Sequence, residues 1–517
     1  MINKSVIIIG GGVSGLSTAI YLKRHGYDVT VLEKNATLGG ACIGWVRRGC
    51  YIDGCIHWLV GTKKGTKTRE LWEEVGALTP ESEIYDCSDF YTLDFGDGKR
   101  FTVWADLEKM REEFYAFAPE DKRQIDKFCA LIKRFQKIDA PVEKPTDLMN
   151  IGELLKIGLT MATDYYYVKK YSSVSCAEYA KKFKNPYIRK WLEEHMSAGY
   201  NLMSFLYMIA HVSKGDGGIP VGGSLALVER MRDTLLALGG RIRCSAEVSR
   251  IDVEDGRCVG VTLKSGESLR SDWTVSAAPA VHTLKELLSD KYALKKIDMR
   301  LADRRTYPIY TYTTAVFKIN ADTSSYPLSE KIYFDEPITL DKENRSVVYR
   351  NYSYDKTLKS TEGNTIIQAT VSGNDDTYFW WKNVKKSGQY EQKKSEIAKK
   401  MLDIYAKKYP ELEGKIEIID VVTPLTYQRY LNGRHGSFQA FVQTSRAKRL
   451  MQRGEIKGLS GFILSGQWIL MSGGLPTAAI TGRFAAQRIC RHDGVEFIRN
   501  NLKIKKSKKQ RARALKA

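Results

Sequence analysis

The sequence has few residues of several kinds, and each shortage excludes a class of protein. Nine cysteines among 517 residues are scattered, and their odd number excludes a fully paired disulfide scaffold. Their spacing contains no C-x-x-C pair, so we expect no metal site and reduced thiols that mostly pack. No uninterrupted apolar segment reaches about 18 residues, which excludes an obvious membrane-spanning helix. The apolar run from Val6 lacks a following cleavage pattern, so no signal peptide is predicted.

Acidic residues are also in deficit, because 60 Asp and Glu face 81 Lys and Arg, a formal net charge of +21. Part of the excess lies in residues 501–517, which we predict to be a disordered basic tail. Anionic lipid would attract such a tail by about 1 kcal/mol per basic residue near the surface. No nucleic-acid-binding motif accompanies it, so no specific nucleic-acid partner is expected. The expected location is the cytoplasm, either free or peripherally at a membrane, and the oligomeric state stays open.

The N-terminal glycines carry the strongest pattern in the chain. A β-branched run, Val6 to Ile9, is typical of a parallel strand buried on both faces, and it ends at Gly10. In the G-x-G-x-x-G pattern that follows, the glycines permit a tight turn, approach to a diphosphate and close helix packing. The predicted dinucleotide contacts here are Gly10, Gly12, Val13, Ser14 and Gly15.

A second strand, Tyr27 to Leu32, ends at an acid, Glu33. Its carboxylate lies about 20 residues past the glycines, where it can accept hydrogen bonds from an adenosine ribose. A 2′-phosphate would be repelled by Glu33, so the pattern favours FAD or NAD over NADP. The following Lys34 is a further candidate contact, and Gly39-Gly40 allows a second close backbone approach that a longer cofactor requires.

At this point the sequence resembles the flavoprotein superfamily that contains phytoene desaturase, carotenoid isomerase, retinol saturase and the amine oxidases. The resemblance rests on Gly39-Gly40, on the segment Asp53 to Trp58, on Gly433 to Ser437, and on Gly466-Gln467 with the helix at Pro476. The Asp53 segment is more similar to the isomerase and desaturase branch than to the amine oxidases. In that superfamily the paired glycines line FAD, so the resemblance implies FAD as the cofactor.

The resemblance also implies the remaining cofactor contacts. The backbone of Val248 would meet the adenine, and the helix near Pro476 would direct its N-terminus at the pyrimidine edge of the flavin. The partial positive charge there would stabilise the anionic reduced flavin. The implied contacts are Gly466, Gln467, Gly474, Leu475 and Pro476, although Gln467 replaces the acid more common in the family.

The predicted fold class is α/β, with a Rossmann-type FAD-binding domain and an interleaved α+β substrate domain. We assign residues 1–64, 218–290 and 423–500 to the discontinuous FAD-binding domain. Residues 65–217 and 291–422 are assigned to the substrate domain with a helical lid. The aromatic stretches Tyr165–Tyr171 and Tyr200–Ala210 fit ordinary core, an apolar tunnel or a membrane-facing entrance. Two further aromatic stretches, Asn351–Asp355 and Trp380-Trp381, fit packing in exposed loops as readily as contact with a substrate, and we assign no role to them.

For catalysis His57 is the first candidate, as a general acid or base beside a transferred hydride, and loop support is the equal alternative. His435 and Tyr427 come next. The expected activity is hydride exchange between flavin N5 and an apolar unsaturated substrate, a polyene, isoprenoid or lipid, in a desaturase, isomerase or saturase. An amine or amino-acid oxidase and a non-catalytic lipid-escort protein remain alternatives.

Overall fold

The computed structural model describes residues 4–139, 142–196, 199–338, 345–358, 364–448, 451–470 and 473–499, so the basic tail 501–517 lies outside the described residues. The strands are β1 Ser5–Ile9, β2 Asp28–Leu32, β3 Gly44–Arg47, β4 Cys50–Asp53, β5 Ile84–Tyr85, β6 Asp89–Asp94, β7 Arg100–Trp104, β8 Ile219–Pro220, β9 Arg241–Arg243, β10 Val248–Glu254, β11 Arg257–Leu263, β12 Ser268–Arg270, β13 Trp273–Ser276, β14 Thr311–Ile319, β15 Ser329–Tyr333, β16 Ser346–Asn351, β17 Thr365–Gly373, β18 Ile416–Val422 and β19 Phe462–Leu464.

The helices are α1 Val13–Arg24, α2 Lys67–Glu74, α3 Leu107–Phe117, α4 Lys122–Phe135, α5 Ile151–Thr160, α6 Ala162–Ser172, α7 Cys176–Ala180, α8 Pro186–Glu193, α9 Leu202–Ser213, α10 Gly223–Ala237, α11 Ala280–His282, α12 Lys295–Ala302, α13 Asp375–Lys386, α14 Tyr390–Lys408, α15 Pro424–Leu431 and α16 Leu475–His492. Short turns of 3-10 helix connect several of them.

A parallel sheet of order β19-β13-β1-β2-β9 forms the first layer. Val6 and Ile8 face a core shared with α1, α10 and α16, whereas Ile7 and Ile9 face a second core shared with β10 and β11. Because the strand is buried on both faces, its sequence is a continuous apolar run without alternation. The predicted Rossmann-type α/β fold is confirmed.

A second, seven-stranded sheet has the order β18-β14-β17-β16-β15-β6-β7. Its strands pair antiparallel except at β15 and β6, where Glu330 to Ile332 align with Thr92 to Asp94 in parallel. Strands from before residue 217 and after residue 291 therefore share one sheet. This confirms the interleaved α+β part of the predicted fold, while the domain limits stay predictions.

The helical layer is built from α3, α4 and α7 to α9, which bury a core rich in aromatic residues, among them Phe114, Phe128 and Trp191. Helices α5 and α6 differ, because neither buries a residue completely. Within the described residues, no helix combines the length and apolarity needed to cross a bilayer.

The exposed-loop alternative is wrong for both further aromatic stretches. Trp380 and Trp381 lie in α13, and Trp381 is fully buried with its indole N–H on Thr313 Oγ1 at 3.0 Å. Asn351 ends β16, Tyr352 follows it, and both are buried. Packing between the mixed sheet and the helices buries these residues, and local sequence does not reveal such packing.

Candidate functional site

Three parallel strands end side by side and form the floor of the candidate site. Ala277 N donates to Ile9 O at 2.8 Å, and Ser465 N donates to Ser276 O at 2.8 Å. Gly10 and Ala277 directly follow β1 and β13, and Ser465 and Gly466 follow β19. In open α/β sheets the carboxyl edge of the strands is where ligands bind.

The glycines of the first turn have different physical roles. Gly10 has φ of +101°, and a Cβ on Gly15 would lie 2.0 Å from the carbonyl oxygen of Gly10, so both are required by the turn and by helix packing. Gly12 has φ of −78°, and a Cβ there would meet nothing nearer than 3.6 Å. The fold alone therefore does not require glycine at position 12. A diphosphate that approaches the protein backbone closely at the start of α1 does require it.

The start of α1 is tied to the other cofactor segments. Ser14 Oγ lies 2.6 Å from Ser465 Oγ and 3.3 Å from Thr481 Oγ1, and Gly466 N donates to Thr481 Oγ1 at 3.0 Å. Val13 and Ser14 are buried in this junction. One hydroxyl network thus fixes the first turn of α1 against β19 and α16, which brings the N-terminal and C-terminal motifs together.

Glu33 is buried and holds the turn beside it. Its Oε2 accepts a hydrogen bond from Gly11 N at 2.8 Å, and its Oε1 accepts from Asn35 N and Nδ2 at 2.9 and 2.8 Å. Lys34 Nζ donates to Arg429 O at 2.7 Å and to Asn432 Oδ1 at 2.6 Å, so its ammonium is engaged by α15 and its C-cap. Burial lowers the pKa of Lys34.

The paired glycines lie directly against the first turn. Gly39 N donates to Gly11 O at 2.9 Å, and Gly39 and Gly12 form an isolated parallel bridge. Both paired glycines have positive φ, and a Cβ on Gly39 would lie 2.3 Å from Cys42 O. Val248 is buried at the start of β10, close to Ala246 N, which donates to Glu33 O at 2.8 Å.

The C-terminal helix begins at the same edge. Gly474, with φ of +112°, is the N-cap of α16, and no side chain caps it, as is also true of Gly12 at α1. Leu475 and Pro476 form the first turn and stay half-buried. Gln467 Nε2 donates to Phe438 O at 3.0 Å, and Gln467 Oε1 accepts from Gly474 N at 3.4 Å.

These features fit an FAD molecule. Two uncapped helix N-termini at one edge favour negative charge, one for a diphosphate and one for the pyrimidine edge of a flavin. The space beside Gly12 lets a diphosphate approach the backbone of the first turn of α1. Glu33 lies where the ribose of the cofactor is expected. The residues predicted to bind the cofactor therefore converge on one site, and their individual contacts with FAD stay predictions.

Asp53 has a structural role that the sequence did not reveal. Its buried carboxylate accepts hydrogen bonds from Ser224 Oγ at 2.7 Å and from Ser224 N at 2.5 Å, so it caps α10 from 171 residues away. Cys55 N donates to it at 3.0 Å. Burial raises the pKa of Asp53, opposed by these hydrogen bonds. The anchored turn holds the segment that carries His57.

His57 is enclosed by protein but keeps some accessible surface, so it faces an interior space. Burial, reinforced by the neighbouring Arg350 guanidinium, lowers the pKa of His57 to about 3. The imidazole is therefore neutral at pH 7 and is a weak base. Within the described residues no hydrogen bond to its ring is found, and the main-chain carbonyl of His57 accepts a hydrogen bond from Arg350.

An aromatic path leads away from His57. Ring centroids lie 5.9 Å apart for Trp58 and Phe90, 5.1 Å for Phe90 and Tyr91, 6.2 Å for Tyr91 and His195, and 6.0 Å for His195 and Tyr200. Four of the five side chains keep accessible surface deep in the protein. They suit an apolar ligand.

Of the other candidates, Tyr427 lies near the site and His435 has a structural partner. Tyr427 is enclosed beside Tyr312 and Phe438, and burial raises its pKa. His435 Nδ1 lies 3.0 Å from Asp375 Oδ1, and its ring stacks on Tyr378 with centroids 5.0 Å apart. These contacts account for His435 without a catalytic role.

Sequence reasoning missed Ser465, Thr481 and Arg350. Ser465 and Thr481 flank predicted glycine and helix motifs, so small hydroxyl residues there were a usable signal. Arg350 had no local signal, because only pairing within the mixed sheet brings it to His57.

Comparison with known proteins gives a consistent result. The family model described as flavin containing amine oxidoreductase matches residues 13–490. The lycopene-forming phytoene desaturase of a Paracoccus species is 27% identical over 291 residues, covering 55% of this chain and 56% of that protein. The chain thus spans just over half the length of such desaturases.

Two further matches extend over nearly the whole chain. The chloroplastic prolycopene isomerase of Daucus carota is 24% identical over 511 residues, covering 95% of this chain and 80% of that protein. The crystal structure of an oxidoreductase from Methanosarcina mazei aligns with a TM-score of 0.59 at 15% identity, covering 93% of this chain and all of that one. At this identity the structural likeness supports the fold alone.

Proposed function

Because the chain belongs to the flavin containing amine oxidoreductase family, we propose that it exchanges hydride between FAD and an apolar unsaturated substrate, as a desaturase, isomerase or saturase. Family membership confirms the predicted flavin and the oxidoreductase class. The substrate, a polyene, isoprenoid or lipid, is the finer part of the proposal. The observation that carries it is the aromatic path from Trp58 to Tyr200.

When bound, FAD supplies the two-electron chemistry, accepting or returning hydride at N5. The backbone at Gly12 and the first turn of α1 would hold the diphosphate, and Glu33 would hold the ribose. The N-terminus of α16 would face the pyrimidine edge and would stabilise negative charge there. The aromatic path excludes water and orients an extended substrate.

The activities by which the relatives are named support the apolar substrate. The Paracoccus protein is a phytoene desaturase and the carrot protein a prolycopene isomerase. Isomerisation would return the electrons to the same substrate, whereas desaturation needs an external acceptor. The two reactions therefore differ in electron balance while using the same site.

Anaerobic mixing of the FAD-bound protein with polyenes, fatty acids and amines, followed by flavin bleaching, tests the proposal. We expect polyenes or unsaturated lipids to bleach the flavin, or to isomerise once the flavin is reduced. Bleaching by amines alone would instead identify an amine oxidase. A protein that binds FAD without any turnover would support the lipid-escort alternative.

His57→Ala is expected to keep FAD and to slow substrate-dependent turnover by about 100-fold, the low end of the range for a general acid or base, because an imidazole with a pKa of about 3 is a weak base. Because the pKa of His57 lies about 3, its charge does not change between pH 5 and 9. The pH profile of the turnover rate should therefore have the same shape in the wild type and in His57→Ala, with no transition near pH 6.5 that comes from His57. Stopped-flow measurement across this pH range checks both statements.

The surface histidine His492 provides the matched control, because it pairs with Glu455 outside the site. His492→Ala should leave turnover unchanged. If His57→Ala turns over at the wild-type rate, His57 only supports its loop.

The proposal also places the protein at a membrane surface through α5. Ile151, Leu155 and Leu159 lie four residues apart on one helix face and are 77%, 62% and 81% exposed. Lys156 and, on α6, Lys169 and Lys170 add positive charge that anionic lipid attracts. This arrangement is typical of a helix lying in a lipid interface.

A Leu155→Ser/Leu159→Ser variant is expected to bind anionic liposomes at least about tenfold more weakly, because each leucine contributes about 1.5–3 kcal/mol on full burial. Liposome sedimentation measures the change. Met299, equally exposed on α12, serves for the control Met299→Ser. Truncation after Asn501 tests the basic tail separately, and equal binding of the truncated and full chains would exclude a role for it.

A further inference from the structure

Arg350 is a buried cation that has no partner anion among the residues that the structure describes. It lies on β16, is 7% exposed, and donates to the carbonyl of His57. Its Nε has no hydrogen-bond partner, and it forms no ion pair with a carboxylate in the part of the chain that the structure describes. An uncompensated charge of this kind costs several kcal/mol of folding free energy.

The other buried arginines differ in this respect. In the described residues they are Arg69, Arg300, Arg483 and Arg488. Three of them form ion pairs with carboxylates. Arg300 donates to two backbone carbonyls and packs on a tyrosine ring. Arg350 alone among these five has a single carbonyl as its recorded acceptor.

Four side chains near Arg350 are neutral at pH 7. Burial raises the pKa of Tyr352 and of Tyr354, and it raises the pKa of the Cys87 thiol to about 11. Burial lowers the pKa of His57 to about 3. The carboxylates of Asp53 and Asp355 also act on the two tyrosines, but they accept hydrogen bonds from backbone N–H groups and from the hydroxyls of Ser224 and Thr357, and neither forms an ion pair with Arg350.

Tyr352 offers a second donor. It follows Arg350 by two residues and lies one residue past the end of β16, where its N–H still donates to Ile366 O of β17 at 3.0 Å. The alternation of an extended chain therefore places both side chains on the same face of the sheet. Its hydroxyl is buried and has no hydrogen-bond partner among the described residues. A guanidinium and a phenol on one face form a donor pair suited to a carboxylate.

We infer that Arg350 and Tyr352 bind the carboxylate of the substrate, which is therefore an unsaturated or polyene carboxylic acid and not a hydrocarbon. This rests on the proposed function and narrows its substrate class. Cys87 and Tyr354 line two neighbouring surface cavities of 350 and 480 Å³ that share Ser88. The guanidinium of Arg350 acts electrostatically on both Cys87 and Tyr354 and contacts the main chain of His57, next to which the aromatic path begins at Trp58.

The test compares cis-parinaric acid, a fluorescent polyene acid, with its methyl ester on the FAD-bound protein. The wild type should bind the acid at least about tenfold more tightly, since one charge-assisted hydrogen bond contributes that much. Arg350→Met should remove this preference and leave ester binding unchanged. Arg350→Lys should retain part of it.

Arg300→Met is the matched control, because Arg300 is equally buried and, within the described part of the chain, also lacks a carboxylate partner. It should keep the preference for the acid.

Flavin content and thermal unfolding verify that each variant folds. If Arg350→Met does not fold, Tyr352→Phe replaces it and is expected to reduce the preference for the acid. Equal binding of acid and ester by the wild type, or a preference that survives in Arg350→Met, would overturn the inference. Binding is read without turnover, so a failure of polyenes to bleach the flavin contradicts only the proposed reaction.

Discussion

A Gly12→Ala protein is expected to fold and to lose FAD, with the dissociation constant raised about 100-fold. The backbone at Gly12 is extended, and a methyl group there meets no protein atom nearer than 3.6 Å. The methyl group instead occupies the open side of the first turn of α1, where the diphosphate must reach backbone N–H groups. Losing charge-assisted hydrogen bonds of about 1.5–3 kcal/mol each accounts for the size of the effect.

Flavin absorbance per chain after desalting, and titration of the stripped protein with FAD, measure this change. Gly15→Ala offers a contrast, because its Cβ would lie 2.0 Å from Gly10 O and should lower the melting temperature as well. Gly158→Ala is the neutral control, since a Cβ there meets nothing within 4 Å. Wild-type FAD affinity in Gly12→Ala would place the diphosphate elsewhere.

The cofactor half of the site was predictable because its signals are local. Gly10, Gly12 and Gly15 follow a buried strand directly, and Glu33 ends the next strand of the same unit. Residues that are close together in the sequence determine backbone geometry of this kind, so the sequence alone reveals it. The C-terminal helix at Pro476 came from the family resemblance, and the structure brings it to the same edge through Ser14, Ser465 and Thr481.

The substrate half was not predictable in the same way. Asp53 was interpreted as part of a segment leading to the flavin, yet its carboxylate caps α10 at Ser224. Arg350 reaches His57 only because β16 lies inside a sheet assembled from distant segments. Whether a histidine is a strong or weak base depends on such long-range burial, so the low pKa of His57 had no sequence signal.

Arg483→Met is expected to destabilise the protein by about 3–5 kcal/mol, the usual result of breaking a buried ion pair. Arg483 is fully inaccessible and pairs with the buried Glu74. Its Nε donates to Tyr21 Oη at 2.9 Å, and Tyr21 Oη donates to Glu74 Oε2 at 2.5 Å. The substitution leaves a carboxylate in the core with Tyr21 and Arg499 as its remaining partners.

Chemical denaturation of the FAD-free protein measures this loss, so that cofactor binding does not mask it. The exposed pair Arg243 and Glu267 supplies the control, since Arg243→Met should give no measurable change. The network joins α1, α2 and α16, the last of which begins at the proposed flavin edge. Disrupting this network should therefore weaken FAD binding as well. The N-termini of α1 and α16 must keep their relative positions to bind two parts of one cofactor. An Arg483→Met protein with wild-type stability would show that Arg499 alone neutralises Glu74.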